Sequence, residues 1–446
     1  RQESARAPPG RHRAFLQGRS GLSVSPRSAR MTAPQHPAER DVIHDWNRKE
    51  APLKPSQPFD FNDESLRDGV QSPSVVDPSL EDKLEILERM ASIGVRAVDI
   101  GLPGAGKRAF DDVVAEARHI QAKKLPLAPN CAARTVLADI RPVAEAVQRS
   151  GQAITCYTFI GSSPIRQWAE EWDLDFILKS SVEAIDFAVK EGLEVAYVTE
   201  DTTRSAPENL AALFKAAIEH GARRLVLCDT VGHATPDGTR ALVRWTRARI
   251  AESGADVKID WHGHNDRGLA LVNAIAALEA GANRIHACGL GIGERVGNTS
   301  MDLLLLNLKL MGWIDWDLSH LVGYVKKISQ ACKVPIPVNY PLSGSDAFRT
   351  ATGVHAAAII KAKKRGSDWL ADRVYSGVPA GEFGREQEIE IGHMSGMSNV
   401  KFWCERRGIA IDEALCKAIL DAAKASPETL TEEQIRAVVA ARSQGG

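Results

Sequence analysis

The sequence predicts an α/β chain: a (β/α)8 TIM barrel over residues 55–330, followed by a smaller, mostly helical accessory region over 331–446. Three observations predict it. Short β-branched or apolar runs alternate with helical patterns from Phe59 onward. A helix–glycine–strand cadence recurs at Ile93-Gly94-Val95, His220-Gly221-Ala222 and Ala280-Gly281-Ala282, as glycine caps at helix C-termini require. Eight such units occupy about 250 residues, the usual size of a closed barrel. A doubly wound open sheet is the alternative that strand count alone leaves open.

The expected strands lie at 59–62, 97–100, 125–128, 153–157, 194–198, 225–228, 258–261 and 284–287. Amphipathic helical patterns lie between them, among others at 80–90, 110–123, 207–220 and 269–280. The turn Gly101-Leu102-Pro103-Gly104-Ala105-Gly106-Lys107-Arg108 nearly spells a phosphate-binding loop, but Arg108 stands where a magnesium-binding Ser or Thr belongs. It reads as a glycine-rich turn, with Asp111-Asp112 as an acidic first helical turn. Helices follow at 301–311 and 318–331, then a linker at 334–341 marked by three prolines. The accessory region carries helical patterns at 346–364, 398–407, 412–425 and 431–442.

Residues 1–50 differ. The first thirty carry seven arginines, five serines and one acidic residue, Glu3. Such a leader is either an organelle transit peptide or upstream sequence preceding a true start at Met31, the favoured reading. Disorder and no chemistry are expected there.

Composition narrows the function. A net charge of -1 over 446 residues leaves no basic excess for nucleic acid or an anionic membrane surface. No apolar run reaches the length of a membrane-spanning helix. Seven cysteines are scattered without a C-x-x-C pair, which predicts reduced thiols and a cytoplasmic protein.

The chemistry starts at Trp261-His262-Gly263-His264-Asn265-Asp266, closing the strand-like run at 257–260. Alternation along a strand projects His262 and His264 to one side. Two imidazoles so placed lack only a carboxylate to make a metal site. A bare H-x-H is more often an ordinary loop pair, and two further segments change that reading: Leu66-Arg67-Asp68-Gly69 and Gly293-Glu294-Arg295-Val296-Gly297-Asn298. Asp68 follows strand one, the histidines end strand seven and Asn298 lies after strand eight. A closed barrel makes these three strands neighbours, with their loops at the catalytic mouth. Mixed oxygen and nitrogen ligation suits a divalent ion, Mn, Zn or Mg.

These motifs resemble one family closely: the acyl-CoA-condensing, metal-dependent barrels that include 2-isopropylmalate, homocitrate and citramalate synthases, with 3-hydroxy-3-methylglutaryl-CoA lyase as a relative. The resemblance covers about 59–408. The segment from Asp63 to Gln71 looks like the family's first signature and that from His262 to Gly268 like its second. The resemblance implies Asp68, His262 and His264 as metal ligands, with Asn298 ligating directly or through water. It implies Arg67 as the cation at the ketone oxygen, Glu200 as an active-site carboxylate and Thr230 on the keto-acid carboxylate. A helix N-cap is the plain alternative for Thr230.

In the accessory region Gly353-Val354-His355, Val374-Tyr375 and Gly392-His393-Met394-Ser395-Gly396 are similar to synthase segments. This match implies a synthase over a lyase, whose reactive cysteine belongs in the loop after strand eight; Cys288 is expected within the strand. Glu200, His355 and Tyr375 are the base and water-activating candidates. Tyr157 replaces the synthases' histidine and Val70 a common glutamate, so both bear on the choice of keto acid, while the signature lysine is displaced to Lys83.

The resemblance thus implies a transferase that condenses acetyl-CoA with a 2-oxo acid, 2-oxoisovalerate favoured. Homocitrate or citramalate synthesis, lyase chemistry and a non-catalytic metal-binding barrel are the rivals. It also implies a homodimer, with His355 and Tyr375 acting across the interface.

Overall fold

The computed structural model describes residues 42–47 and 54–443. The expectations for the N-terminal extension and Met31 fall almost wholly outside the described residues. Eight parallel strands close into a barrel in sequence order: β1 Asp60–Asp63, β2 Ala97–Asp99, β3 Ala128–Arg134, β4 Thr155–Gly161, β5 Val195–Glu200, β6 Arg224–Asp229, β7 Lys258–Gly263 and β8 Arg284–Ala287. The barrel closes through β1 and β8, where Asn62 pairs with His286. The open-sheet alternative is excluded.

The helices of the barrel are α1 Leu80–Ser92, α2 Lys107–Lys123, α3 Leu137–Ser150, α4 Pro164–Glu170, α5 Leu174–Lys190, α6 Pro207–Glu219, α7 Pro236–Ser253, α8 Ala270–Ala280, α9 Met301–Leu310 and α10 Leu321–Cys332. All but α4, which has no buried residue, bury an apolar face on the outside of the sheet. β7 shows the division of labour along a strand: Ile259 and Trp261 join that outer core, while Asp260 and His262 turn into the lumen. Inside, Tyr157, Ala196, Val226 and Cys228 form a small separate cluster.

The accessory region contributes α11 Gly353–Lys364, α12 Asp368–Arg373, α13 Met397–Arg406, α14 Glu413–Ala425 and α15 Glu432–Ser443. Phe348, Ala380 and Phe383 pack into the barrel's outer core. Two further clusters hold the rest, one around Trp403 and Ile419, the other around Ile359 and Ile360. None of the described helices is long and apolar enough to cross a membrane.

Three local expectations need correction. The third strand, expected over 125–128, runs Ala128–Arg134; pairing with β2 and β4 selects the small buried residues Cys131, Ala132 and Ala133. The helix expected from 110 starts at Lys107, so Asp111 and Asp112 stand a turn inside it, and Asp112 takes the ammonium of Lys83 at 2.9 Å. The helix expected from 346 starts at Gly353. Before it, β9 Arg349–Thr350 pairs in parallel with β10 Glu388–Ile389. Ser395 and Asn399 donate to the Ala351 carbonyl at 2.7 and 3.2 Å, which occupies it outside a helix.

Candidate functional site

Strand alternation and barrel closure together build a compact candidate ligand set at the carboxyl ends of the strands. The two Nε2 atoms of His262 and His264 lie 3.3 Å apart. Asp68 Oδ2, arriving from the loop after β1, is 3.2 Å from the first and 3.5 Å from the second. All three side chains are buried and can hold a metal ion. Burial beside His262 lowers His264 to a pKa of about 4, so the imidazole stays neutral, the ligating form. Burial raises Asp68, but Arg67 and the imidazoles outweigh it and hold the carboxyl well below its ordinary range.

Asn298 completes the arrangement. Its backbone pairs with His264, and its Nδ2 donates to the Ile292 carbonyl at 3.1 Å and the Cys288 sulfur at 3.4 Å. Its Oδ1 is buried with no hydrogen-bond partner among the described residues. A buried, unsatisfied oxygen is costly unless something accepts it as a ligand, so the donor set fits a hard or borderline divalent ion. Gly293 makes this approach possible: at φ +148°, a Cβ there would lie 2.1 Å from Asn298 Nδ2 and 3.2 Å from Asp68 Oδ1. Cys288 lies one residue beyond β8 instead of inside it, and burial pushes its thiol well above the usual range.

Beneath the ligands runs a buried ionic ladder. Arg67 contacts Glu64, and reaches Asp99 at 3.1 Å and Asp68 at 3.4 Å. Burial opposes ionisation of Glu64, but Arg67 and His286 hold it low, whereas burial and the charge of Glu64 push Asp99 up. His286 sits between Glu64 at 2.8 Å and Asp260 at 3.2 Å. Burial disfavours its charge, yet hydrogen bonds to the two carboxylates raise it above the ordinary imidazole value. Asp260 also contacts Arg224, and Arg284 closes the base on Asp60 at 2.6 Å. Arg67, its side chain 19% exposed, is thus part of this inner network.

Above this ladder a cavity of about 230 Å³ opens around Asp68, His262 and His264. Glu200, at the end of β5, and Thr230, just past β6, both line it. Burial raises Glu200, with Arg166 and Arg67 opposing. Thr230 is not a helix cap, because Thr235 caps α7; its hydroxyl accepts the Asp201 amide at 2.8 Å. Tyr157 also lines the cavity, but its hydroxyl is engaged: it donates to Asp260 and accepts from Arg284, each at 3.0 Å. Its ring is what a ligand meets.

His355 and Tyr375 come together, ring centroids 4.2 Å apart, but neither lines the metal cavity. Both are exposed. The neighbouring Val354 and Met394 are 74% and 60% exposed, on segments joined by a 3.0 Å bond from the Gly353 amide to the Met394 carbonyl.

Glu64, Asp99, Asp260 and His286 did not emerge from motif reading. A signal existed. Parallel strands buried on both faces should be apolar, and Asp260 and His286 are ionisable residues in the middle of such strands. Asp260 also stands two residues before His262, on the same face.

Fold and ligand set define a (β/α)8 barrel with a candidate metal centre at its carboxyl mouth. The chain belongs to the HMGL-like family, which matches residues 59–328. A probable 2-isopropylmalate synthase of Methanopyrus kandleri is 31% identical over 355 residues, covering 79% of this chain and 66% of that one. A homocitrate synthase of the same organism is 30% identical over 371 residues, covering 81% and 86%. This chain therefore spans just under two thirds of the first relative's length. Among solved structures, a Bacillus subtilis HMG-CoA lyase superposes with a TM-score of 0.52 at 21% identity, over 64% of this chain and 97% of that one.

Proposed function

We propose that this chain is a 2-isopropylmalate synthase-like acyltransferase that condenses acetyl-CoA with a 2-oxo acid, 2-oxoisovalerate favoured, and then hydrolyses the thioester. The reading draws on the family and on relatives named as such synthases. The observation that carries the choice of acid is the cavity wall. Ala132, Tyr157, Phe159, Val198 and Val226 present apolar surface, and Arg67 and His286, which line the cavity too, are already held by carboxylates. A branched aliphatic side chain fits such a wall, whereas a distal carboxylate would be buried without a partner.

Asp68, His262, His264 and Asn298 would hold the ion, Mn, Zn or Mg. Such an ion supplies Lewis acidity to a chelating 2-oxo acid. Arg67 keeps a guanidinium edge near the ketone oxygen as negative charge builds there. Thr230 orients the carboxylate, and the Tyr157 ring bounds the side chain. A base removes one methyl proton from acetyl-CoA, the resulting carbon forms the new bond to C2 of the oxo acid, and water then releases coenzyme A as a free thiol. Glu200, kept proton-affine by burial, and the His355–Tyr375 pair are the residues for the proton and for the water.

Because that pair lies away from the cavity, amid exposed Val354 and Met394, it reaches a site best from a second copy of the chain. A homodimer is accordingly part of the proposal. Seven free, buried cysteines suit a reducing, cytoplasmic setting. Homocitrate synthesis is the second reading, supported by the fuller coverage of that relative, and it requires a free cation that the wall lacks.

The test is coupled thiol release from acetyl-CoA, in the metal-reconstituted enzyme, with 2-oxoisovalerate, 2-oxoglutarate, pyruvate and glyoxylate. 2-Oxoisovalerate should give the highest kcat/KM. His264→Ala should remove bound metal and at least about 1,000-fold of kcat without loss of fold. Preference for 2-oxoglutarate, or no thiol from any acceptor, overturns the reading.

A further inference from the structure

A second cavity, about 580 Å³, opens between α6 and α7 on the outer rim of the barrel, within the volume range of small-molecule sites. It shares no lining residue with the metal cavity. Leu210 from α6, with Leu242 and Trp245 from α7, make its apolar floor. Hydroxyls of Thr203, Ser205 and Thr235 stand along its rim.

The charge at this cavity has one sign. Among the described residues no Asp or Glu lines it; its ionisable residues are His233 and Arg267. Arg267 donates one Nη1 hydrogen bond to the His233 carbonyl at 2.8 Å, and forms no ion pair with a carboxylate among the described residues. Elsewhere on the rim arginines are paired, as Arg295 is with Asp266 at 2.9 Å and Arg204 with Asp201 at 2.7 Å. An exposed guanidinium beside an apolar slot matches a ligand with a carboxylate at one end and a hydrophobic body at the other.

We propose that this groove is a second ligand site, for a small amphipathic monocarboxylate, and that its occupancy is felt at the metal centre. The connection is Asp229. Its carboxylate accepts the Thr203 hydroxyl at 3.0 Å and the amides of His233 and Ala234 at 2.8 and 3.0 Å, all from residues lining the groove. Its own carbonyl accepts the His264 amide at 3.2 Å, and Thr230, the next residue, lines the metal cavity. One residue thus anchors the wall of the groove and the backbone of a metal ligand. A ligand that shifts Thr203 or the His233–Ala234 amides displaces the end of β6 on which His264 rests.

The experiment is calorimetry on the metal-loaded, full-length protein with 3-phenylpropionate and 4-methylpentanoate, alongside their neutral amides. The carboxylates should bind and the amides should bind at least about tenfold more weakly. Arg267→Leu should weaken carboxylate binding by a similar factor, and Ala241→Trp, which fills the groove from α7, should abolish it. Saturating carboxylate should shift the apparent affinity for the 2-oxo acid about five-fold or more in the wild type and not in Ala241→Trp. Equal binding of the amides, or no effect of Arg267→Leu, overturns the proposal. So does simple competition with the 2-oxo acid, which would place the probes in the metal cavity, or a raised KM for acetyl-CoA in Ala241→Trp, which would make the groove part of the acyl-CoA path. The binding arm reads heat, so it stands or falls independently of which condensation the enzyme performs.

Discussion

The barrel lumen and the accessory region use the same kinds of side chain to opposite ends, and two histidines make the contrast. His286 is buried between Glu64 and Asp260, inside a ladder running from Asp60 and Arg284 at the base to Arg67 and Asp68 at the mouth. His355 lies on the surface of α11, stacked on Tyr375 and otherwise open. Interior polar groups of this kind are fixed because each depends on its partners in a low dielectric. The accessory region instead takes its stability from apolar clusters around Trp403 and Ile359 and leaves its polar chemistry outside. The lumen positions groups for one another; the accessory surface positions groups for something that arrives.

The largest effect should follow removal of the inner histidine. His286→Ala leaves two buried carboxylates without the ring they share, and breaking such a buried contact costs about 3–5 kcal/mol. Denaturant unfolding checks this. A loss below about 1 kcal/mol would mean that water or rearrangement satisfies Glu64 and Asp260, and the lumen would then not be the rigid member of the comparison.

Asp63 gives the next effect, on the outward face of the same strand end. Its Oδ1 accepts the Ser65 amide at 2.8 Å and its Oδ2 accepts the Tyr324 hydroxyl, but burial still pushes its pKa up to about 6. The folded value lies above the unfolded one, so relative stability is fully present near pH 4 and below and is lost as pH rises to about 6. The loss is about 3 kcal/mol once ionisation is complete. Asp63→Asn carries no charge to lose. Its stability advantage over the wild type should be near zero at pH 4, grow to about 2–3 kcal/mol by pH 7 and then stay flat. A constant difference across that range would assign the effect to packing around Tyr324 instead of to the buried charge.

The sequence made the architecture legible because two periodicities do most of the work there. Alternation along β7 puts His262 and His264 on one face, and closure of eight parallel strands carries Asp68 and Asn298 to them; both steps follow from spacing and chain order. The ladder was not legible in the same way. Asp260, His286, Glu64 and Asp99 are scattered singly over strands β7, β8 and β2 and the end of β1, and only the barrel's curvature assembles them. Local propensity likewise misjudged Ala128–Arg134 and Arg349–Thr350, where pairing with neighbouring segments overrides the pattern of the segment itself. The accessory pair was placed by motif, and its exposure shows why spacing alone could not say what it meets.

The smallest effect on stability belongs to the outer histidine. His355→Ala removes one exposed ring and its stacking on Tyr375, a change expected to stay within about 0.5 kcal/mol. A purely structural role ends there. If the pair instead serves a site on a second copy, His355→Ala should be nearly inactive alone yet recover activity when dissociated and reassociated with His264→Ala. Random pairing of the two makes half of the dimers mixed, and each mixed dimer has one intact composite site, about a quarter of wild-type turnover. Recovery of that size would identify the accessory surface as the part of each chain that acts on its neighbour. No recovery, with both variants folded and His355→Ala as stable as the wild type, would confine His355 to its own subunit and leave the contrast between lumen and surface as one of stability alone.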